Sequence, residues 1–134
     1  METKMELVTT KICLVKNIGN NGNLFGGDML SFLDEAGAAF CSEYCGTQAM
    51  VTKKISEVIF ENPVKEGELI KIYAKMVKIG NTSATVKLEA RVQSVFTGNQ
   101  EVVCQTEIIF VRIDPKGKSR PIDEAVKIKF NSNL

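Results

Sequence analysis

A chain of 134 residues, 44% hydrophobic and 25% charged, is sized and composed for one globular domain and excludes a disordered or low-complexity protein. Its formal net charge of +1 provides no bulk field for nucleic acid or an anionic membrane. No window approaches the roughly 18 consecutive apolar residues that span a bilayer, and METKMELVTT lacks an apolar signal core, so a cytoplasmic protein is expected.

In chain order, the β-branched run 6–16 predicts a strand, and KNIGNNGN predicts a loop. Residues 26–45 form the one long helical candidate, about 30 Å in length. Met29, Leu30, Phe32, Leu33, Ala36, Ala38, Ala39 and Phe40 surround most of its circumference, which predicts a buried helix stopped at Gly46. Strands follow at 49–60, 67–79, 82–96 and 101–113, with turns at Gly80-Asn81 and 97–100 and a Pro/Gly-rich exit from 114. Short turns imply antiparallel neighbours. The predicted architecture is α+β, with an antiparallel sheet wrapped around one long central helix (the hotdog arrangement). It is a single domain over 1–134, with a core at about 6–114 and a C-terminal tail at 115–134. A lone sheet and helix leave a sheet edge and a helix flank uncovered, so a dimer is expected.

The chain has no histidine. Ser-His-Asp and Cys-His catalysis are thereby excluded, and acid-base chemistry near neutral pH falls to carboxylates. Cys13, Cys41, Cys45 and Cys104 form no Cys-x-x-Cys pair and read as buried small residues. A metal site is not expected, since no histidine completes a ligand set.

The helix start carries the chemistry. Gly26-Gly27 is either a tight turn or a place where first-turn amides, bearing partial positive charge, meet a developing oxyanion. Asp28 complements the helix dipole there. Glu35 reads as a polar face residue or a structural partner. Asp34 shares its face with Gly27, Leu30, Ser31, Gly37, Ala38 and Cys41. The small residues beside it suggest a gap, and a carboxylate taken from water needs hydrogen bonds or a changed protonation equilibrium. Structure and catalysis both remain open for it on this ground. Gly27 and Asp34, seven positions apart, are separated by about 10 Å along the axis, too far to act on one carbon that an attacking atom must approach to about 3 Å. Two antiparallel helices of a dimer remove the difficulty, so a composite site is expected, with Gly27 from one subunit and Asp34 from the other.

The run Asn23-x-Phe25-Gly26-Gly27-x-x-Leu30-Ser31-x-x-Asp34-Glu35-Ala36-Gly37 resembles the hotdog-fold acyl-CoA thioesterases, specifically the acyl-CoA hydrolase branch. Gly80-x-Thr82-Ser83 and Val111-x-x-Asp114-x-x-Gly117-Lys118-x-Arg120-Pro121 are similar to that branch too. The resemblance implies that Asp34 is the catalytic carboxylate, as general base or nucleophile, that the Gly27 amide polarises the thioester carbonyl, and that Asn23, matching a polar residue of the site, is catalytic with them. It implies substrate contacts from Phe25, Gly26, Ser31, Lys54, Thr82 and Ser83. Phe25 stands where some members carry histidine, so no side-chain acid role is transferred there. The implied partners are an acyl-CoA substrate and further copies of the chain, as dimers assembled into a trimer of dimers. No cofactor is implied, since coenzyme A belongs to the substrate and product. Lys75, Lys78, Arg91, Arg112, Lys116, Lys118 and Arg120 are further candidates for the coenzyme phosphates.

Three short matches carry no weight. Gly117-Lys118-Ser119 lacks the first glycine of a phosphate loop, Asn81-Thr82-Ser83 fits the glycosylation pattern without a secretory signal, and the basic residues after 112 are too sparse for nucleic acid. A non-catalytic acyl-CoA-binding module is the competing reading. A dehydratase on the same architecture is weakened by the missing histidine.

Overall fold

The computed structural model describes residues 4–134. The elements are β1 (Glu6–Ile12), a 3-10 turn (Val15–Asn17), α1 (Gly26–Cys45), β2 (Met50–Ile55), β3 (Ile59–Phe60), β4 (Leu69–Ile79), β5 (Ser83–Gln93), β6 (Gln100–Arg112) and α2 (Glu124–Ser132). All pairings are antiparallel, in the order β1-β4-β5-β6-β2, with β3 on the same flank of β6 as β2. The α+β expectation and the long central helix stand. Among the described residues, no helix is long and apolar enough to cross a membrane.

Period-two patterning builds the core. Ile70, Ile72, Ala74 and Met76 of β4, and Ala84, Val86, Leu88 and Ala90 of β5, are the buried alternates of their strands. They meet a stripe of α1 made of Met29, Leu33, Ala36, Gly37, Cys41 and Cys45. Each large side chain buried there contributes about 1.5–3 kcal/mol. All four cysteines are buried and free, and burial pushes the Cys104 thiol up to about 11.

Five expectations change. The first strand ends at Ile12, because Asn17 turns the chain: its side-chain oxygen accepts the Leu14 amide at 3.0 Å and its own amide reaches the Leu14 carbonyl at 2.9 Å. The strand expected at 49–60 is broken at 56–58, where three residues oppose Thr106 and Glu107; a further register shift lies between Thr52 and Lys54. These irregularities bend an edge strand and keep Met50 and Ile55 on the core side despite their odd spacing. The expected tail contains α2, which docks Val126 and Phe130 on the core and is tied back by Arg112 to Asp123 at 2.7 Å. Helix α1 is buried along one stripe only; Leu30, Phe32, Ala38 and Phe40 are half-buried, and Ser31, Glu35 and Ala39 are exposed. Glu35 pairs weakly with Lys11 at 3.8 Å on the surface.

The fifth concerns Gly37, which does not border a gap. A Cβ there would lie 2.8 Å from Leu88 Cδ1 and 3.1 Å from Phe110 Cζ, so the missing side chain lets the sheet press directly on the helix. Gly37→Ala should therefore destabilise the protein by about 1–3 kcal/mol through overpacking, despite alanine's better helix propensity. Denaturant unfolding of the two proteins measures this.

Candidate active site

The loop before α1 is fixed by main-chain bonds. Ile18 and Leu24 form an isolated bridge, Gly19 N–H donates to Asn23 O at 2.8 Å, and Leu24 N–H donates to Val64 O at 2.8 Å. Phe25 is the N-cap, extended, with no side-chain cap. Its carbonyl accepts the Asp28 and Met29 amides at 3.0 and 3.1 Å. Among the described residues, the Gly26 and Gly27 amides have no protein acceptor. They are orphan donors at the positive end of a twenty-residue helix. Two aromatic rings bracket them. A Cβ on Gly27 would sit 2.8 Å from the Phe25 ring, and one on Gly26 would sit 3.5 Å from the Phe60 ring.

Asp34 lies two turns further along α1 and is half-buried. Thr52 on β2 donates its hydroxyl to Asp34 Oδ1 at 2.7 Å. This is the hydrogen bond that a carboxylate in an apolar run requires. The register shift follows Thr52 directly, so the threonine faces the helix at the point where the edge strand bends away. Sequence reasoning misses Thr52, since a β-branched residue in a strand is ordinary. The missing signal is that β2 crosses α1 at the level of Asp34.

The expected site residues fall into groups. Asn23, Phe25, Gly26 and Gly27 gather at the helix start. Asn23 accepts the Lys65 ammonium and lines a cavity of about 290 Å³ with Leu24, Gly26, Met29, Phe60 and Val103. Asp34 stands with Thr52, and Lys54 is exposed just beyond on the same strand. Ser31 is exposed on the helix between the two groups. Ser83 pairs with Val111, while Thr52 pairs with Phe110, so Ser83 lies two strand spacings, about 10 Å, from the Thr52 level. Thr82 anchors the same turn by accepting the Arg112 amide at 2.9 Å. Phe60, beside Gly26, pairs with Cys104; seven residues of β6, about 23 Å, separate that level from Ser83. One chain therefore brings together the amides, and separately the carboxylate with Thr52, and leaves Thr82 and Ser83 remote from the amides. Larger cavities lie elsewhere, one of 420 Å³ between α1 and α2 and one of 650 Å³ beside the β5–β6 turn; the first is lined by Lys75, one of the phosphate candidates, and neither holds a residue of the helix-start motif.

Two of the proposed phosphate partners are already engaged. Arg91 bonds Glu89 at 2.6 Å and Gln100 at 3.1 Å and stacks 4.0 Å from the Tyr73 ring centre. Arg112 is held by Asp123. Lys116, Lys118 and Arg120 remain exposed on a loop ordered by Asp114, whose carboxylate accepts the Lys116 and Lys118 amides at 2.8 and 3.0 Å.

Comparison with known proteins adds the context. The family model of the thioesterase superfamily matches residues 21–104. The chain is 32% identical over 120 residues to the acyl-CoA thioester hydrolase YciA of Salmonella typhimurium, covering 87% of this chain and 90% of that protein. A hexameric hotdog fold thioesterase of Campylobacter jejuni superimposes with a TM-score of 0.83 at 32% identity, over 94% of this chain and 96% of its own. The hexameric thioesterase from Yersinia pestis does so with a TM-score of 0.82 at 27% identity, over 92% and 99%.

The packing at Gly27 and at Gly37 generates a contrast. The Phe25 ring over Gly27 is 59% exposed and free to swing away, whereas Leu88 and Phe110 beside Gly37 are fully buried. Gly27→Ala is expected to change unfolding stability by less than about 1 kcal/mol, well below the cost at Gly37, in parallel denaturant titrations.

Proposed function

The chain belongs to the thioesterase superfamily, and from that premise we propose that it is an acyl-CoA thioester hydrolase in which Asp34 of one subunit and the Gly27 amide of another act on the same thioester. The observation that carries the reading is the Asp34 carboxylate, bonded by Thr52 and facing an uncovered helix flank, in a chain without histidine. A pocket that only held an apolar acyl chain would gain nothing from a carboxylate.

The chemistry follows from these groups. A thioester carbonyl has little of the resonance that protects an amide, and a thiolate leaves readily. Asp34 removes a proton from water, and the water oxygen bonds to the carbonyl carbon while the carbonyl π pair moves onto oxygen. The Gly27 amide, with Gly26 beside it, donates to that oxyanion, an interaction stronger in the transition state than in the ground state. Collapse re-forms the carbonyl and expels the coenzyme A sulfur, which takes the proton from Asp34. Direct attack by Asp34, followed by hydrolysis of the anhydride, uses the same atoms. Thr52 orients the carboxylate in either route. The scheme requires no cofactor, since coenzyme A is itself the leaving group.

The Asn23 amide oxygen accepts the Lys65 ammonium, which leaves the Asn23 side-chain NH2 as the donor offered to the substrate. Asn23 borders the cavity beside Gly26, which offers apolar walls to the acyl chain. Phe25, Ser31, Lys54, Thr82 and Ser83 are assigned to contacts with the rest of the substrate. The half-exposed apolar flank of α1 and the unpaired side of β2 support a dimer. The hexameric relatives support a higher oligomer of this chain, which we assign as a trimer of dimers.

Thiol release from a panel of acyl-CoAs, short to long, tests the proposal. Wild type should turn over, and Asp34→Ala should lose at least about a hundredfold in kcat with its oligomer intact. Tight acyl-CoA binding without turnover at any chain length would instead establish a ligand-binding module. In the same assay Thr52→Val should lower kcat by about tenfold with little change in KM, as expected when an orienting hydrogen bond is lost.

A further inference from the structure

Asn17 is 8% exposed, one of two buried polar residues among those described, and lies in the KNIGNNGN loop, ahead of the residues that carry the resemblance. Its polar groups are all engaged. Its side-chain oxygen accepts the Leu14 amide at 3.0 Å, which fixes the side-chain NH2 to point the other way, onto Asp28 Oδ2 at 3.0 Å. Its carbonyl accepts the Phe25 amide at 2.8 Å. Asp28 is the third residue of α1, the position from which an acid commonly folds back onto the N-cap amide. Here that amide, Phe25 N–H, is bonded to Asn17, and the acid is bonded to Asn17 as well. Asn17 thus takes over the half of a capping box that satisfies the N-cap amide, through its carbonyl, and holds the displaced acid through its side chain. The residues it ties down, Phe25 and Asp28, flank Gly26 and Gly27, whose amides stay free.

We propose that Asn17 is the positioning residue for the oxyanion-binding amides, fixing the Gly26–Gly27 peptide through its bonds to Phe25 and Asp28. The inference rests on the thioesterase reading of those amides. Asn17 touches no reacting atom; it sets where the amides point. Displacing such donors by about 1 Å costs on the order of a hundredfold in rate, and the loss falls on kcat because the interaction matures only in the transition state.

An exchange of the two side chains tests this. Asn17→Asp sets a carboxylate against the Asp28 carboxylate in place of a donor. It should lower kcat by about tenfold to a hundredfold with KM nearly unchanged, and shift the Gly26 and Gly27 amide resonances in 1H–15N spectra. Adding Asp28→Asn restores a donor opposite an acceptor, while the carboxylate introduced at position 17 can still accept the Leu14 amide. This exchange variant should recover kcat to within about threefold of wild type and return both glycine resonances. Asp28→Ala, at a half-buried position, gives the same readouts should Asn17→Asp fail to fold; it should lower kcat and move the resonances. Wild-type kcat in Asn17→Asp or Asp28→Ala, or a folded exchange variant as slow as Asn17→Asp, would overturn the assignment. The resonances decide independently of turnover: if wild type hydrolysed no acyl-CoA, the thioesterase reading would fail, while unmoved glycine amides in these variants would refute the positioning role itself.

Discussion

A helix rises about 1.5 Å per residue and does not fold back on itself. Gly27 and Asp34 are fixed seven positions apart on one rigid rod, and nothing within the chain brings their functional groups to a common atom. This constraint organises the rest of the structure. The amides point outward at one end of α1, and the carboxylate faces outward two turns on. The stripe from Met29 to Cys45 is committed to the sheet, with Phe32, Ala38, Phe40 and Tyr44 partly buried beside it. On the flank that carries Gly27, Ser31 and Asp34, the first two are exposed and Asp34 is half covered by Thr52 of β2, an edge strand that has no further partner among the described residues. An antiparallel second helix would set each amide opposite the other chain's carboxylate.

Such a site needs rigid halves, and each half is held differently. Gly37 lets Leu88 and Phe110 press against the helix backbone next to Asp34, so the helix has no slack there. Thr52 then fixes the carboxylate from a strand whose register shifts keep Met50 and Ile55 on the core side. At the helix start no side chain caps the first turn. A side-chain cap bonds the second or third helical amide, and the second here is that of Gly27. The loop instead holds the turn from outside, through Asn17, and leaves the two glycine amides open.

The centre of the sheet was legible in the sequence because β4 and β5 bury every second residue over most of their length. The long helix was legible from its apolar content and its glycine stop, with Gly46 in the left-handed region at φ 65°. The irregular features were hidden. Two extra residues along the β2–β3 edge emerge only once β6 is the ruler. Helix α2 is short, and its two core-facing residues gain their stability from docking rather than from propensity. Glycine and alanine beside Asp34 suggested empty space, but at Gly37 small size meant close approach. Asp34 and the two glycines stood out because an acid and a Gly-Gly pair are costly in such a run. Thr52 and Asn17 did not, because their significance lies in what the fold sets opposite them.

Subunit complementation tests the shared site most directly. Gly27→Pro removes the amide hydrogen at a first-turn position where proline is tolerated, and Asp34→Ala removes the carboxylate. Each homo-oligomer should be inactive. Co-refolded in equal amounts, half of the dimers carry one of each chain, and in those one of the two sites regains both an intact Gly27 and an intact Asp34. Recovery of about a quarter of wild-type turnover is expected, from the two-fold symmetry of the dimer. A mixture as inactive as its parents, with mixed dimers demonstrated, would contradict the shared site and return both groups to one chain.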